Sequence, residues 1–368
     1  MHDARPRDLR ALGASFQVHG TLVEAAPHGS GHINETYAAT YDQAGTPVRY
    51  IHQRINGHVF KDPARLMENV SRVLGHAATR LAGRPDASRR TLTLVPARDG
   101  RPYVVDADAA VWRTYLFIER TRTFDIVETP AQAEAAARAF GQFQSVLADL
   151  PGERLHDTIP DFHHTRKRFD AFAAAVQADS CNRAHACADL IAVALAHEAD
   201  TDRLLAASAA GDVPERVTHN DTKINNVMMD VATGEALCVV DLDTTMPGLA
   251  PIDFGDMVRT ATNAAAEDEP DPARVVSRPE MFEALVRGYL SAAGAFLRPT
   301  EVAWLAFAGQ LLAFEQALRF LGDHLQGDVY YRIHRPGHNL ERARAQLALM
   351  TSIERQRDAY EAIVRSYS

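Results

Sequence analysis

The stretch "VTHNDTKINNVMMD", Val217 to Asp230, gathers a histidine, a lysine, an aspartate and a pair of adjacent asparagines between apolar residues. Its spacing is His219-x-Asp221-x-Lys223-x-x-Asn226, and phosphoryl transfer can use residues of these types in this order. An aspartate must accept or orient the proton of an attacking hydroxyl, and an asparagine carbonyl five residues on can turn back to a magnesium ion on nucleotide phosphates. Lys223 would lie beside the transferred group and offset its developing charge. The plain alternative is a polar turn ahead of the strand "NNVMMD", with the whole set in one loop by accident.

Further residues extend this chemistry. In "CVVDLDTTMPG" an apolar run ends in Asp241, with Asp243 two residues on. Alternate strand residues face the same side, so both carboxylates could face one metal. Asp241 is expected as the main magnesium ligand and Asp243 as a ligand of a second metal or an outer partner. In "PHGSGHINETY", Gly29, Ser30 and Gly31 form a loop where missing Cβ atoms let backbone amides approach phosphate oxygens. Asn34 stands where a Gly-x-Gly-x-x-Gly loop would have its third glycine, and His32 at the loop tip could face substrate or solvent. A cation on a central strand should hold the α/β-phosphates, paired with a helix glutamate. Arg54 and Glu68 are the candidates, with Gln53 or Lys61 as alternative inward residues. "YLFIERT" reads as the strand leaving the first lobe, with backbone groups from Phe117 to Glu119 available to adenine.

The elements that must carry these residues change character along the chain. From about residue 16 to 118, short alternating runs ("TLVEAA", "ETYAATYDQAG", "VRYIHQRI", "TLTLVPARDGRPYVVD", "AVWRTYLFIE") read as strands. One helix interrupts them, where Leu66, Val70, Val73 and Leu74 recur at helical spacing. After Arg122, Thr129-Pro130-Ala131-Gln132 has a capping-box pattern, and alanine-rich segments at 169–210 and 279–320 read as helices. The acidic "AEDEPDPAR" between them reads as a solvated loop. A strand-rich first third followed by a helical remainder predicts an α+β chain in two lobes, residues 1–120 and 121–368, with a cleft between them.

Composition excludes several classes. Of 368 residues, 46% are hydrophobic and 24% charged, as in ordinary globular proteins. Formal net charge is −9, and no Lys/Arg tract with interleaved aromatics offers a footprint for nucleic acid. No apolar stretch approaches the roughly 20 residues of a membrane span, and the charged N-terminus does not read as a secretory signal. The 3 cysteines are scattered, against a disulfide framework or a zinc site. The cytoplasm is the expected compartment, and no obligate protein partner is evident.

Together, "GSGHINETY", "QRING", "FIE", "THNDTKINNVMMD", "VVDLDTTMPG", "DFGDMVR" and "RFLGDHLQGDVYYRIHRPGHNLERARAQ" resemble the aminoglycoside phosphotransferase and choline kinase superfamily. Within it, the sequence is most similar to the N-acetylhexosamine 1-kinases. The resemblance covers about residues 29–346 and implies a bilobal protein-kinase-like fold. It also implies ATP with Mg2+ and phosphorylation of the anomeric hydroxyl of GlcNAc or GalNAc. Asp221 would be the base, and Asn226 and Asp241 the metal ligands. His32, Asp221, Arg319 and Tyr330 match sugar contacts, although an arginine on a helix and a tyrosine beside Tyr331 also suit surface and packing roles. Asp253 and Asp256 read as loop-stabilising. Rival readings are a kinase of another small alcohol, such as an aminoglycoside or amino alcohol, a protein kinase, and a silent nucleotide-binding regulator. Against the protein kinase, Leu242-Asp243 follows Asp241 where Phe-Gly would stand, and no Ala-Pro-Glu anchor is found.

Overall fold

Five strands build an antiparallel sheet in a computed structural model that describes residues 8–29 and 33–368. They are β1 (Thr21–Pro27), β2 (Glu35–Gln43), β3 (Thr46–Arg54), β4 (Val104–Val105) and β5 (Val111–Leu116), in the order β1-β2-β3-β5-β4. Ala44 and Gly45 both have positive φ, which gives β2 and β3 a two-residue turn whose twist suits a hairpin. Directly opposite residues share a face. On one face Ala39, Tyr41, Tyr50 and Trp112 meet Phe16, Val95 and Ala97 in an apolar core. Gln53 and Arg113 pair across β3 and β5 and lie on the other face. The helix Pro63–Leu81 starts at Asp62, whose carboxylate caps the Arg65 amide, and buries Leu66, Val70, Val73 and Leu74 as their spacing predicts.

The chain divides into two compact units. The first runs to Thr121 and also takes in Leu150–Ile159 and Val240–Thr245, so Asp241 and Asp243 belong with the sheet. The rest is mainly helical. Thr129 and Gln132 form the expected capping box, side chain to backbone in both directions. The helix Leu305–Leu325 is buried along almost its whole length and packs against the Ala250–Ala261 and His338–Arg355 helices. The strand-rich N-terminal sheet and helical C-terminal part make the fold α+β.

One expectation gives way. "TLTLVPARDGRPYVVD" contributes only isolated bridges at Leu94 and Ala97 and the two-residue β4. Pro96 and Pro102 within it lack the N–H that a continued ladder needs. The segments 169–210 and 279–320 are helical as expected, the first in three pieces, the earliest ending at Asp179 in the left-handed conformation, and the second broken before Pro299. The acidic loop is mostly exposed as expected, and it is also tied down: Asp268 accepts from Arg335 and pairs with His338, and Glu267 pairs with Arg259. Among the described residues no helix is long and apolar enough to cross a membrane.

Candidate active site

The loop from His219 to Asn226 is held mainly by its backbone. Asp253, at the start of the Ala250–Ala261 helix, accepts the His219 amide at 2.8 Å and the Asn220 amide at 2.7 Å. Gln144 Nε2 adds a third bond to the same carboxylate, at 2.6 Å. One turn later, Asp256 accepts the Thr222 amide at 2.9 Å. These aspartates therefore have the loop-stabilising role their sequence position suggests. Burial pushes Asp253 up in pKa. It acts the same way on Asp256, but the cations Arg259, His163 and Lys223 outweigh it and hold that carboxyl below its ordinary value. Asn220 adopts φ +63°, a left-handed turn that asparagine tolerates better than most residues. A Cβ on Gly248 would stand 2.2 Å from the Thr218 hydroxyl and 2.7 Å from Asn220 Oδ1, so only glycine lets the Met246–Gly248 strand lie this close.

This frame gathers three of the expected residues. Asn226 Nδ2 donates to the Asp221 carbonyl at 2.8 Å and to its Oδ2 at 3.1 Å. Lys223 Nζ lies 3.2 Å from Asp221 Oδ1. A carbonyl oxygen only accepts, so the Asn226 nitrogen must face Asp221, which leaves the amide oxygen as the atom a cation would meet. Burial would lower the Lys223 pKa, but the Asp221 and Asp256 carboxylates outweigh it and hold the ammonium above its ordinary value. Lys223 is thus charged at neutral pH. His219 is wholly buried against Phe140 and Phe143, so it supports the loop from beneath.

In the first unit, Asp241 is exposed, with φ +60° and ψ +59°, at the entry to a single helical turn. Asp243 does not share its environment. That carboxylate is 1% exposed and forms an ion pair with Arg113 through Oδ1, while Asn34 Nδ2 reaches Oδ2 at 2.6 Å. Both oxygens are committed and the charge is balanced, so Asp243 is not a metal ligand. The turn inserted after Asp241 breaks the alternation that would have put the two carboxylates together. Asn34 Oδ1 also accepts the Asn56 amide at 2.9 Å, which gives a reason for asparagine at the expected third-glycine position.

The sheet likewise replaces the Arg54–Glu68 pair. Arg54 lies on the core-side face and pairs with Glu35 at 2.6 Å. Glu68 is 56% exposed and meets His156 at 2.9 Å. The buried cation on the opposite face is Arg113, whose guanidinium also binds Gln53 Oε1 at 2.9 and 2.5 Å. A charged residue inside the apolar run "VWRTYL" was the available signal. At the end of β5 the Phe117 amide is taken by the Arg49 carbonyl, the Arg49 guanidinium covers the Phe117 ring at 3.8 Å, and Glu119 pairs with Arg49. The Phe117 N–H is therefore not an adenine donor. Gly29 has φ +81°, a backbone conformation that calls for glycine. Ser30, Gly31 and His32 lie outside the described residues.

In the C-terminal block, the Arg319 guanidinium lies between Phe162, 5.5 Å from its carbon, and Tyr331, 5.7 Å away. Tyr330 is exposed and stacks edge-on with Tyr331. Its position is fixed by Asp323, a residue the sequence did not single out. That carboxylate accepts the amides of Val329, Tyr330 and Tyr331 at 2.8–2.9 Å, as well as Asn339 Nδ2.

The model of the phosphotransferase enzyme family (APH) matches residues 24–300. Solved structures share the fold at low identity. An aminoglycoside phosphotransferase from Alicyclobacillus acidocaldarius superposes with a TM-score of 0.61 at 13% identity, covering 99% of this chain and 97% of that one. A microcompartment-associated aminopropanol kinase gives 0.57 at 16%, covering 96% and 98%. A spectinomycin phosphotransferase in complex with ADP and spectinomycin gives 0.51 at 13%, covering 93% and 98%.

Proposed function

The chain belongs to the phosphotransferase enzyme family, and from that premise and the loop geometry we propose that it is an ATP-dependent kinase of an N-acetylhexosamine, acting on the anomeric C1 hydroxyl. The observation that carries the proposal is the Asp221 carboxylate, held between Lys223 at 3.2 Å and Asn226 at 3.1 Å on a backbone fixed by Asp253 and Asp256. Such a carboxylate is oriented before substrate arrives, as positioning-dominated phosphoryl transfer requires.

Asp221 would accept the hydrogen bond of the sugar O1–H and take its proton late. Lys223 would oppose the charge that develops on the transferred phosphoryl oxygens. Asn226 and Asp241 are each a candidate ligand for magnesium, which would supply charge neutralisation to the nucleotide phosphates. Asp241 in a left-handed conformation is the sort of local strain that functional positions retain.

For the acceptor, Arg319 against Phe162 and Tyr331 suits a neutral sugar, since a guanidinium donates to hydroxyls and an acetamido carbonyl. A substrate ammonium would meet a cation there. The names of the structural neighbours favour the second reading, an amino alcohol or aminoglycoside as acceptor. Incubation with ATP, magnesium and a panel of N-acetylhexosamines, amino alcohols and aminoglycosides, followed by 31P and 1H NMR of the product, decides between them. Phosphate on a sugar C1 supports the proposal. Phosphate on O6, or only on a cationic acceptor, refutes it.

A further inference from the structure

We propose that His163 is a positioning residue, an imidazolium that joins the buried Glu315 to the loop carrying Asp221 and sets the direction of that loop. His163 Nε2 lies 2.9 Å from the Asn220 carbonyl oxygen, and Nδ1 lies 2.7 Å from Glu315 Oε1. A carbonyl oxygen carries no hydrogen, so Nε2 must donate. Glu315 Oε2 already accepts the Thr165 hydroxyl at 2.6 Å, an arrangement that favours the carboxylate over the acid. Nδ1 then donates as well, and both ring nitrogens carry hydrogen.

The groups around the pair support this charge state. Asp256 faces the ring from the Ala250–Ala261 helix, and Arg319 stands one turn beyond Glu315 on its own helix. Burial works against a charged histidine, yet the Glu315 carboxylate outweighs it and holds His163 above its ordinary value; Glu315 is held correspondingly low. The Phe162 ring packs edge-on at 4.6 Å.

The consequence lies at Asn220. Its amide is bound to Asp253 and its carbonyl to His163, so the backbone entering Asp221 is gripped on both sides at a left-handed φ. A neutral ring has one hydrogen for two acceptors. Whichever nitrogen keeps it, the other lone pair faces an oxygen lone pair, and the ring must leave either Glu315 or Asn220. Alkaline deprotonation should therefore loosen the loop without unfolding the lobe.

The effect on turnover rests on Asp221 acting as the base in phosphoryl transfer, whereas the clamp itself can be read without activity. In full-length protein labelled with 15N-histidine and 15N-aspartate, with His163 assigned by comparison with His163→Gln, both ring nitrogens should have imidazolium shifts at about pH 7.5, a unit above the ordinary histidine value. The backbone amide of Asp221 should shift with the same midpoint as the ring titrates. Glu315→Gln should lower that midpoint by about one pH unit or more while the donor to Asn220 remains. If sugar phosphorylation is found, its kcat should fall on the alkaline side with the same midpoint, and His163→Gln, which can donate but not titrate, should lack that limb. A neutral ring at about pH 7.5 overturns the proposal, as does an Asp221 amide indifferent to the titration. An imidazolium coupled to the Asp221 amide in a protein that phosphorylates no sugar supports the clamp and refutes the substrate assignment alone.

Discussion

Removing the charge of Asp243 while keeping its shape should be among the most destabilising substitutions in the first unit. Asp243→Asn leaves the Arg113 guanidinium, 1% exposed, with Gln53 as a neutral acceptor. The new amide has one oxygen and one nitrogen where the carboxylate accepted at both ends. Turned either way, it sets a donor against Arg113 or against Asn34 Nδ2. Breaking one partner of a buried pair costs about 3–5 kcal/mol, because the surviving charge stays desolvated. Replacing both partners by apolar residues (Arg113→Met with Asp243→Leu) removes that orphan charge, and the double variant should recover at least about 2 kcal/mol against the sum of the singles. Urea unfolding followed by tryptophan fluorescence measures this. The chain has 2 tryptophans. Trp112 lies next to Arg113 on β5, so a Trp304→Phe background leaves it as the reporter of the sheet. If Asp243→Asn costs less than about 1 kcal/mol, or stabilises as removal of one of two crowded metal carboxylates would, the ion-pair assignment is wrong.

Other outcomes follow from the same geometry. Asp221→Asn should lower kcat by roughly 10²- to 10⁴-fold with circular dichroism and melting temperature unchanged; near-normal turnover would remove its role as base. Asp323→Ala releases the three amides of Val329 to Tyr331, so it should raise the KM for the acceptor more than it lowers kcat, measured at saturating ATP. His52 is buried between Tyr41 and Thr114, and burial pushes it down to about 4. Its folded-state value is below the unfolded one, so the unfolded chain binds the extra proton. Stability is complete above about pH 6.5 and falls by up to roughly 3 kcal/mol as pH drops through the folded value. His52→Gln should flatten that part of the stability–pH curve, measured by urea titration at each pH.

Much of this was legible in one dimension because it depends on local chemistry. The Thr129 cap, the helix bearing Leu66 to Leu74 and the hairpin β2–β3 are set by spacing and turn residues within a few positions. The 219–226 loop was legible for the same reason, since Asp221, Lys223 and Asn226 act on one another over five residues. Partners far apart in sequence were not. Arg113 and Asp243 are 130 residues apart, and nothing local in "VWRTYL" or "VVDLD" says that one will neutralise the other. Alternation placed Arg54 on a strand but could not say which face would be core; the sheet turned it toward Glu35 and gave the buried position to Arg113. Glu315 and His163, and Asp323 with its three amides, were invisible because a buried charge reads as a surface charge until packing removes its water. The sequence by itself determined which groups could do chemistry. Only the tertiary structure decided which carboxylates are balanced by a buried cation and which stay exposed, because that balance depends on burial and on partners from distant segments.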